Sequence, residues 1–110
     1  GMFEQEHELY NEAMQTYLQA IEYHPDFKEA YHNLGYIHLT YLKLYRQATL
    51  HFTDAIEVDP EYVEAIYNRG YSFELMGDIG NAAKDYRKAL SVNPGYDLAA
   101  NGLSRVTEDL

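Results

Sequence analysis

Small and apolar residues recur along the chain at intervals that place them on one face of an α-helix. Three segments share a pattern in which an alanine is followed four residues later by an aromatic residue, and three residues after that by a second alanine. The copies, each closed by a proline, are Ala13-Tyr17-Ala20-Pro25, Ala48-Phe52-Ala55-Pro60 and Ala82-Tyr86-Ala89-Pro94. Spacings of three, four and seven residues fall on one helical stripe, so each segment is predicted to form an amphipathic helix.

A second helical pattern lies between these copies. It reads Ala30-Tyr31-x2-Leu34-Gly35-x2-His38, then Ala65-Ile66-x2-Arg69-Gly70-x2-Phe73, and more weakly Ala99-Ala100-x2-Leu103-Ser104-x2-Thr107. Glycine inside a helix costs up to about 1 kcal/mol relative to alanine, so Gly35 and Gly70 indicate places where two helix axes come close. An aromatic residue follows each closing proline by two positions and marks the start of the next unit: Phe27, Tyr62 and Tyr96.

The alternation of the two patterns predicts six helices joined by short turns. The predicted helices cover residues 5–23, 27–41, 44–58, 62–76, 79–92 and 96–108. Pro60 and Pro94 each end one helix and favour the start of the next, because proline lacks an amide donor but fits a first helical turn. The turn between Thr40 and Arg46 has one extra residue and no glycine, unlike the later turn at Gly77. The helix before that first turn is therefore expected to run long.

The repeat resembles the tetratricopeptide repeat, whose unit of about 34 residues reads W-x2-L-G-x2-Y, then A-x3-F, then P. The matching positions span nearly all of residues 9–107. Departures from the family pattern are Tyr31 and Ile66 for tryptophan, His38 and Phe73 for tyrosine, and Arg69 for leucine. The resemblance implies an all-α, right-handed superhelix of helical hairpins in a single domain. Its expected parts are the second helix of a partial repeat (9–25), two complete repeats (26–60 and 61–94) and a capping helix (95–110).

Composition narrows the possible partners. The chain has 110 residues, 46% of them hydrophobic, which is enough for one folded domain and excludes a disordered class. Its formal net charge of −10 repels phosphate backbones and anionic membranes, so neither nucleic acid nor a membrane is expected as a partner. The absence of cysteine excludes disulfides and fits a reducing compartment such as the cytoplasm.

The sequence offers no group of residues suited to catalysis or metal binding. No two of the five histidines have the i, i+4 spacing of a helical ligand pair; they are His7, His24, His32, His38 and His51. His38 occupies a core position of the repeat and is expected to be a packed ring. The serines lack a glycine-flanked elbow, and the glycines do not form a phosphate-binding loop. We therefore expect no catalytic residue, cofactor or metal, and no enzyme activity.

In the family, the first helix of each hairpin lines a concave groove that holds peptides or helices. By register, the groove positions here are Glu29, His32, Asn33, Tyr36, Thr40, Glu64, Tyr67, Asn68, Tyr71, Glu74, Asn101 and Arg105. None of them is expected to be needed for hairpin packing. Asn33 and Asn68 suit an extended peptide, because an amide side chain both donates to and accepts from a backbone. Tyr36 and Tyr71 suit an interface, with the alternative that they only fill space between hairpins.

Family members that bind chaperone C-termini clamp carboxylates with groove lysines and arginines. In this chain only Asn68 and Arg105 match that arrangement. His32 and Tyr36 stand where lysine and asparagine are expected. The resemblance therefore implies that a carboxylate clamp is missing.

Acidic groove positions indicate the charge of the ligand instead. Glu29, Glu64 and Glu74 predict a neutral or basic protein or peptide, bound more weakly as the salt concentration rises. The main hypothesis is thus a scaffold that recruits a protein partner through its concave face.

The first predicted helix suggests a second interaction surface. Its apolar residues are Leu9, Met14, Tyr17, Leu18 and Ile21. Residues 1–8 are too few and too polar to supply the partner helix that completes a hairpin, so one face is expected to stay uncovered. The alternative hypothesis is therefore a structural or oligomerisation module of a longer chain, acting through this helix by homodimerisation, a swapped end or contact with a preceding segment.

Overall fold

The computed structural model describes residues 2–108, with side chains described from residue 8 onward. This part of the chain is all-helical, as predicted. The helices are α1 (Met2–Tyr23), α2 (Lys28–Thr40), α3 (Tyr45–Val58), α4 (Val63–Leu75), α5 (Ile79–Val92) and α6 (Asp97–Glu108). Predicted and observed ends differ by no more than one residue, except that α1 already begins at Met2. None of the helices in this range is long and apolar enough to cross a membrane.

The helices pack mainly against their neighbours in the chain, as expected for stacked helical hairpins. Helices α2 and α3 form one hairpin, α4 and α5 form the next, and α3 packs on α4 between them. Helix α1 packs on α2 at one end and α6 packs on α5 at the other. Contacts of α4 with both α2 and α6 place these three helices side by side on one face. The whole molecule measures 42 × 33 × 21 Å.

Small residues at the repeat positions let the helices approach closely. The fully buried alanines are Ala30, Ala48, Ala55, Ala65, Ala82, Ala89 and Ala99. A methyl group on Gly35 would lie 2.6 Å from Cε1 of the buried Phe52 ring. One on Gly102, which the sequence pattern did not single out, would lie 2.6 Å from Cζ of Tyr86. Glycine is therefore required where an aromatic ring packs directly on a helix backbone.

The turn between α2 and α3 differs from the sequence expectation. Helix α2 ends at Thr40 and does not run long. The chain reverses through Lys43, which has a positive φ of 55°. Lys43 lies two residues before α3, the position that Gly77, with φ of 82°, occupies before α5. A lysine thus adopts the left-handed conformation that glycine supplies in the second hairpin.

Candidate peptide-binding groove

Helices α2 and α4 and the start of α6 enclose an open cavity of about 350 Å³, which we call the groove pocket. It is lined by His32, Tyr36, Leu39, Thr40, Glu64, Tyr67, Asn68, Tyr71, Tyr96 and Leu98. Three of these come from the positions expected on the first hairpin, and four from those expected on the second. The repeat register thus identifies most of the polar and aromatic wall of one cavity.

Five of the expected groove residues lie outside the groove pocket. Glu29 is exposed near the start of α2, Asn33 is half-buried in the middle of the same helix, and Asn101 is exposed on α6. The other two, Glu74 and Arg105, pair with each other. The structure therefore does not bring the twelve expected residues into one site.

The ion pair between Glu74 and Arg105 joins α4 to α6. Arg105 Nε donates to Glu74 Oε2 and Arg105 Nη2 donates to Glu74 Oε1, and each donor–acceptor distance is 2.9 Å. The Tyr86 hydroxyl also donates to Oε1, at 2.7 Å. The guanidinium of Arg105, helped by the Tyr86 hydroxyl, holds the pKa of the Glu74 carboxyl below its usual value. Glu74 is thus not the uncompensated negative charge assumed from the sequence, and Arg105 is not a free cation.

The charges near the start of α2 are distributed unevenly. The Lys28 ammonium pairs with Asp59 and lies 5.1 Å from the centroid of the Tyr62 ring. Within residues 8–108, Glu29 and Glu64 have no ion-pair partner and are exposed. These two carboxylates therefore supply the uncompensated negative charge along this face.

His32 and Asn68 connect α2 to α4 across the floor of the groove pocket. The Asn68 amide donates to His32 Nε2, which is 3.0 Å away. Burial lowers the pKa of the His32 imidazole, so the ring is neutral at pH 7 and can accept this bond. The ring centroid lies 5.6 Å from that of Phe52 and 5.2 Å from that of Tyr62. The expectation that groove positions have no role in packing is wrong for His32.

The same expectation is wrong for Tyr67, whereas the packing of Tyr71 agrees with the alternative that this residue fills space between hairpins. Tyr67 stacks on Tyr71 at a centroid distance of 6.2 Å and meets the edge of Tyr96 at 5.7 Å. Both Tyr67 and Tyr71 are half-buried and pack against the hydrophobic core. They line the groove pocket as well, so packing and a binding role are compatible. Tyr36 differs from them because its side chain is 45% exposed.

Sequence reasoning missed three lining residues, Leu39, Tyr96 and Leu98. Tyr96 was recognised only as the residue that restarts a repeat. Its equivalent Tyr62 packs on His32 as Tyr96 packs on Tyr67. The recurrence of an aromatic residue at this position was therefore a usable signal for an aromatic wall.

A second cavity, of about 360 Å³, lies between α1, α2 and α3, and we call it the N-terminal pocket. It is lined by Asn11, Met14, Gln15, Leu18, Leu34, His38 and His51. The His38 and His51 rings are 4.7 Å apart, and His38 Nδ1 donates to the Leu34 carbonyl over 2.8 Å. Burial lowers the pKa of His51.

The histidine pair does not belong to a larger ligand cluster. No group of three or more metal-ligating side chains occurs within residues 8–108, and the side chain of His7 lies outside this range. The rings of His38 and His51 therefore pack together in a mainly apolar cavity.

The stacked hairpins and the groove lined by their first helices define a helical-repeat protein. Sequence models of the tetratricopeptide repeat match residues 9–40, 28–62 and 63–96, which together cover most of the chain. The chain belongs to the tetratricopeptide repeat family. No curated protein matches its sequence significantly.

Solved structures with the same fold include domains bound to short peptides. The first TPR of Spaghetti (RPAP3) bound to the HSP90 peptide SRMEEVD has a TM-score of 0.86 and 22% identity, over 94% of this chain and 82% of that one. The Arabidopsis OM64 TPR domain has a TM-score of 0.86 and 26% identity, and the match covers 96% of this chain and 87% of that one. The second TPR domain of human RPAP3, in complex with the HSP70 peptide SGPTIEEVD, has a TM-score of 0.83 and 26% identity. The match covers 89% of this chain and 81% of that one.

Proposed function

We propose that this chain is a protein–protein interaction module that holds a peptide segment of a partner protein against α2, α4 and α6. The observation that carries the proposal is the groove pocket, where an amide, aromatic faces and a carboxylate converge. A human RPAP3 domain with the same fold holds a nine-residue peptide, SGPTIEEVD, which supports a peptide as the ligand class. The module comprises complete repeats at 26–60 and 61–94, flanked by a half repeat at 9–25 and a cap at 95–110.

The same proposal assigns binding, and not catalysis, to this chain. Tetratricopeptide repeats are typically interaction modules, and their function resides in the surface that each member presents. The groove pocket contains no serine or cysteine nucleophile, and His32 faces an amide rather than a reactive hydroxyl. We infer that the chain acts by binding alone.

The charges of the groove favour a neutral or basic ligand. The RPAP3 peptides end in Glu-Glu-Val-Asp, and a site for such a terminus needs free cations. Here Arg105 is engaged by Glu74 and Lys28 by Asp59. The carboxylate of Glu64 borders the groove pocket, and it repels an acidic peptide. An acidic C-terminus is therefore expected to bind poorly.

The proposal can be tested with peptides selected from a phage-displayed library of random 12-residue sequences. Selected peptides are titrated calorimetrically into the wild type and the Asn33→Ala/Asn68→Ala variant. We expect the double variant to bind about thirtyfold more weakly, because each of the two lost hydrogen bonds is worth roughly 1 kcal/mol.

The matched control for this test removes two exposed amides outside the groove, at Gln19 and Gln47. The Gln19→Ala/Gln47→Ala variant is expected to bind like the wild type. Circular dichroism establishes that both variants are folded. Unchanged affinity in the folded Asn33→Ala/Asn68→Ala variant contradicts binding through the groove, and so does failure of the library to yield any peptide.

A second candidate function is self-association through α1. Leu9 and Leu18 on this helix are 64% and 54% exposed, and Leu18 also borders the N-terminal pocket. Exposed apolar side chains of this size favour contact with a second surface. Light scattering across a range of concentrations should show a dimer that the Leu9→Ser/Leu18→Ser variant loses. A strict monomer at high concentration contradicts this candidate.

A further inference from the structure

The groove pocket has one exposed carboxylate at its border and aromatic rings along its wall. Glu64 lies in the first turn of α4, and Tyr67 and Tyr71 follow it on the same helix. Successive spacings of three and four residues place all three on one helical stripe. The stacked rings of Tyr67 and Tyr71, with an interplanar angle of 26°, extend this stripe as a continuous aromatic surface.

The negative charge of Glu64 acts on the rings around it. Burial, with the nearby Glu64 carboxylate, raises the pKa of the Tyr96 hydroxyl. Burial, followed by the carboxylates of Glu29, Glu64 and Asp59, raises the pKa of Tyr62 to about 12. The field of Glu64 therefore reaches phenol groups on both sides of the start of α4.

No cation from the described part of the chain forms an ion pair with this carboxylate. The hydrogen bond to Asp59 raises the pKa of Lys28, and the Glu64 carboxylate adds only a longer-range attraction to the Lys28 ammonium. The Lys28 ammonium is paired with Asp59, and the Arg105 guanidinium is paired with Glu74. Within residues 8–108, Glu64 also has no hydrogen-bond partner for its side chain. The pocket thus combines an available anion with aromatic faces, and these are the two features that bind an organic cation.

We propose that the groove pocket receives a lysine or arginine side chain of the bound peptide. The cation lies at Glu64, and the apolar stem lies along the faces of Tyr67 and Tyr71. The volume of about 350 Å³ is at the lower end of ligand pockets, which suits one long side chain better than a bulky ligand. The proposal rests on the proposed peptide-binding function and adds the chemistry that selects the peptide.

The test uses three pools of synthetic 11-residue peptides with random flanks and a fixed central residue. The central residue is lysine, its uncharged analogue norleucine, or glutamate. Retention of each pool on the immobilised 110-residue chain is measured by mass spectrometry. We expect wild type to retain the lysine pool about tenfold better than the norleucine pool, and to retain the glutamate pool least.

Two variants with the same change in net charge separate the pocket from the overall charge. Glu64→Gln removes the bordering carboxylate and is expected to abolish the preference for lysine over norleucine. Glu57→Gln removes an exposed carboxylate of α3 that lies outside the groove. This variant is expected to retain the preference for lysine over norleucine. Circular dichroism confirms that each variant is folded.

A third variant tests the aromatic surface. Tyr71→Leu keeps apolar area but removes a ring face, so it is expected to reduce the lysine preference without reversing it. Equal retention of the three pools by wild type, or a preference that survives Glu64→Gln, overturns the basic-side-chain pocket while leaving peptide binding intact. No retention of any pool contradicts the proposed function itself.

Discussion

Arg69 shows how one departure from the repeat pattern is accommodated in the core. The family pattern has leucine at this position, but Arg69 directs its guanidinium to a nearly buried carboxylate. Its Nε and Nη2 donate to the two carboxylate oxygens of Asp85, each at a distance of 2.8 Å. Its Nη1 donates to Thr53 Oγ1 at a distance of 3.2 Å. The Asp85 side chain is only 5% exposed. The bidentate pair therefore ties α3, α4 and α5 together in place of an apolar contact.

Restoring the family residue at this position is expected to destabilise the protein. Arg69→Leu leaves the Asp85 carboxylate buried without its partner, which costs about 3 kcal/mol in the free energy of unfolding. The Arg69→Leu/Asp85→Leu double variant removes both charges and is expected to recover most of that loss. Urea denaturation of the wild type, the single variant and the double variant measures these differences in the free energy of unfolding. A single variant as stable as the wild type would show that Asp85 does not depend on Arg69.

At the scale of elements, the two complete hairpins differ most in their turns. The turn before α5 uses Gly77 with a positive φ, and Asp78 then caps the helix by accepting from the Asn81 amide. The turn before α3 uses Lys43 with a positive φ, and Leu44 at the start of α3 makes no side-chain cap bond. The first hairpin therefore reverses direction at a higher conformational cost than the second.

Exchanging the residue types at these two turns should move stability in opposite directions. Lys43→Gly is expected to stabilise the protein by up to about 1 kcal/mol, because glycine adopts a positive φ without a steric penalty. Gly77→Ala is expected to destabilise it by about 1 kcal/mol for the same reason, since no atom lies within 4 Å of the added methyl group. Thermal denaturation of both variants measures the shifts. Destabilisation by Lys43→Gly would mean that the lysine side chain has a stabilising role.

At the scale of the whole molecule, two histidines sit at junctions between helices. His32 joins α2 to α4 through Asn68, and His51 borders the N-terminal pocket beside His38. Burial lowers the pKa of both rings, and the charge of His38 further lowers that of His51. Protonating either ring therefore opposes the packing between the helices around it.

This arrangement predicts that the protein loses stability in mild acid. An unfolded histidine titrates near pH 6.5 and the folded rings titrate lower, so below about pH 6.5 the unfolded chain takes up more protons. The contribution of the two neutral histidine rings to the free energy of unfolding is complete above about pH 6.5. It is lost as the pH falls through the pKa values of these rings in the folded protein. Urea midpoints at pH 7.5 and pH 5.5 should show the decrease. The His32→Gln/His51→Gln variant should show less of it, and an equal decrease would assign the effect to other groups.

Much of the fold follows from the order of residues alone. The positions of alanine, glycine, proline and the aromatic residues predicted each helix to within one residue, except at the start of α1. These signals are local, since periodicity defines a helical face and proline or glycine marks its end. The same register identified the residues of α2 and α4 that line the groove pocket, except Leu39, because equivalent positions of stacked repeats face the same way.

The charge partners and the final shape of the pocket were decided only by the tertiary structure. Glu74 pairs with Arg105 and Lys28 with Asp59 across 31 positions of the chain. A helical pattern shows which face a residue occupies, but not which long side chain on the next helix reaches it. The convergence of Tyr96 and Leu98 on the groove pocket likewise depends on how α6 stacks against α4. Sequence therefore determined the repeat and most of the residues that line the groove pocket from α2 and α4, and packing between repeats determined which charges on that face remain unpaired.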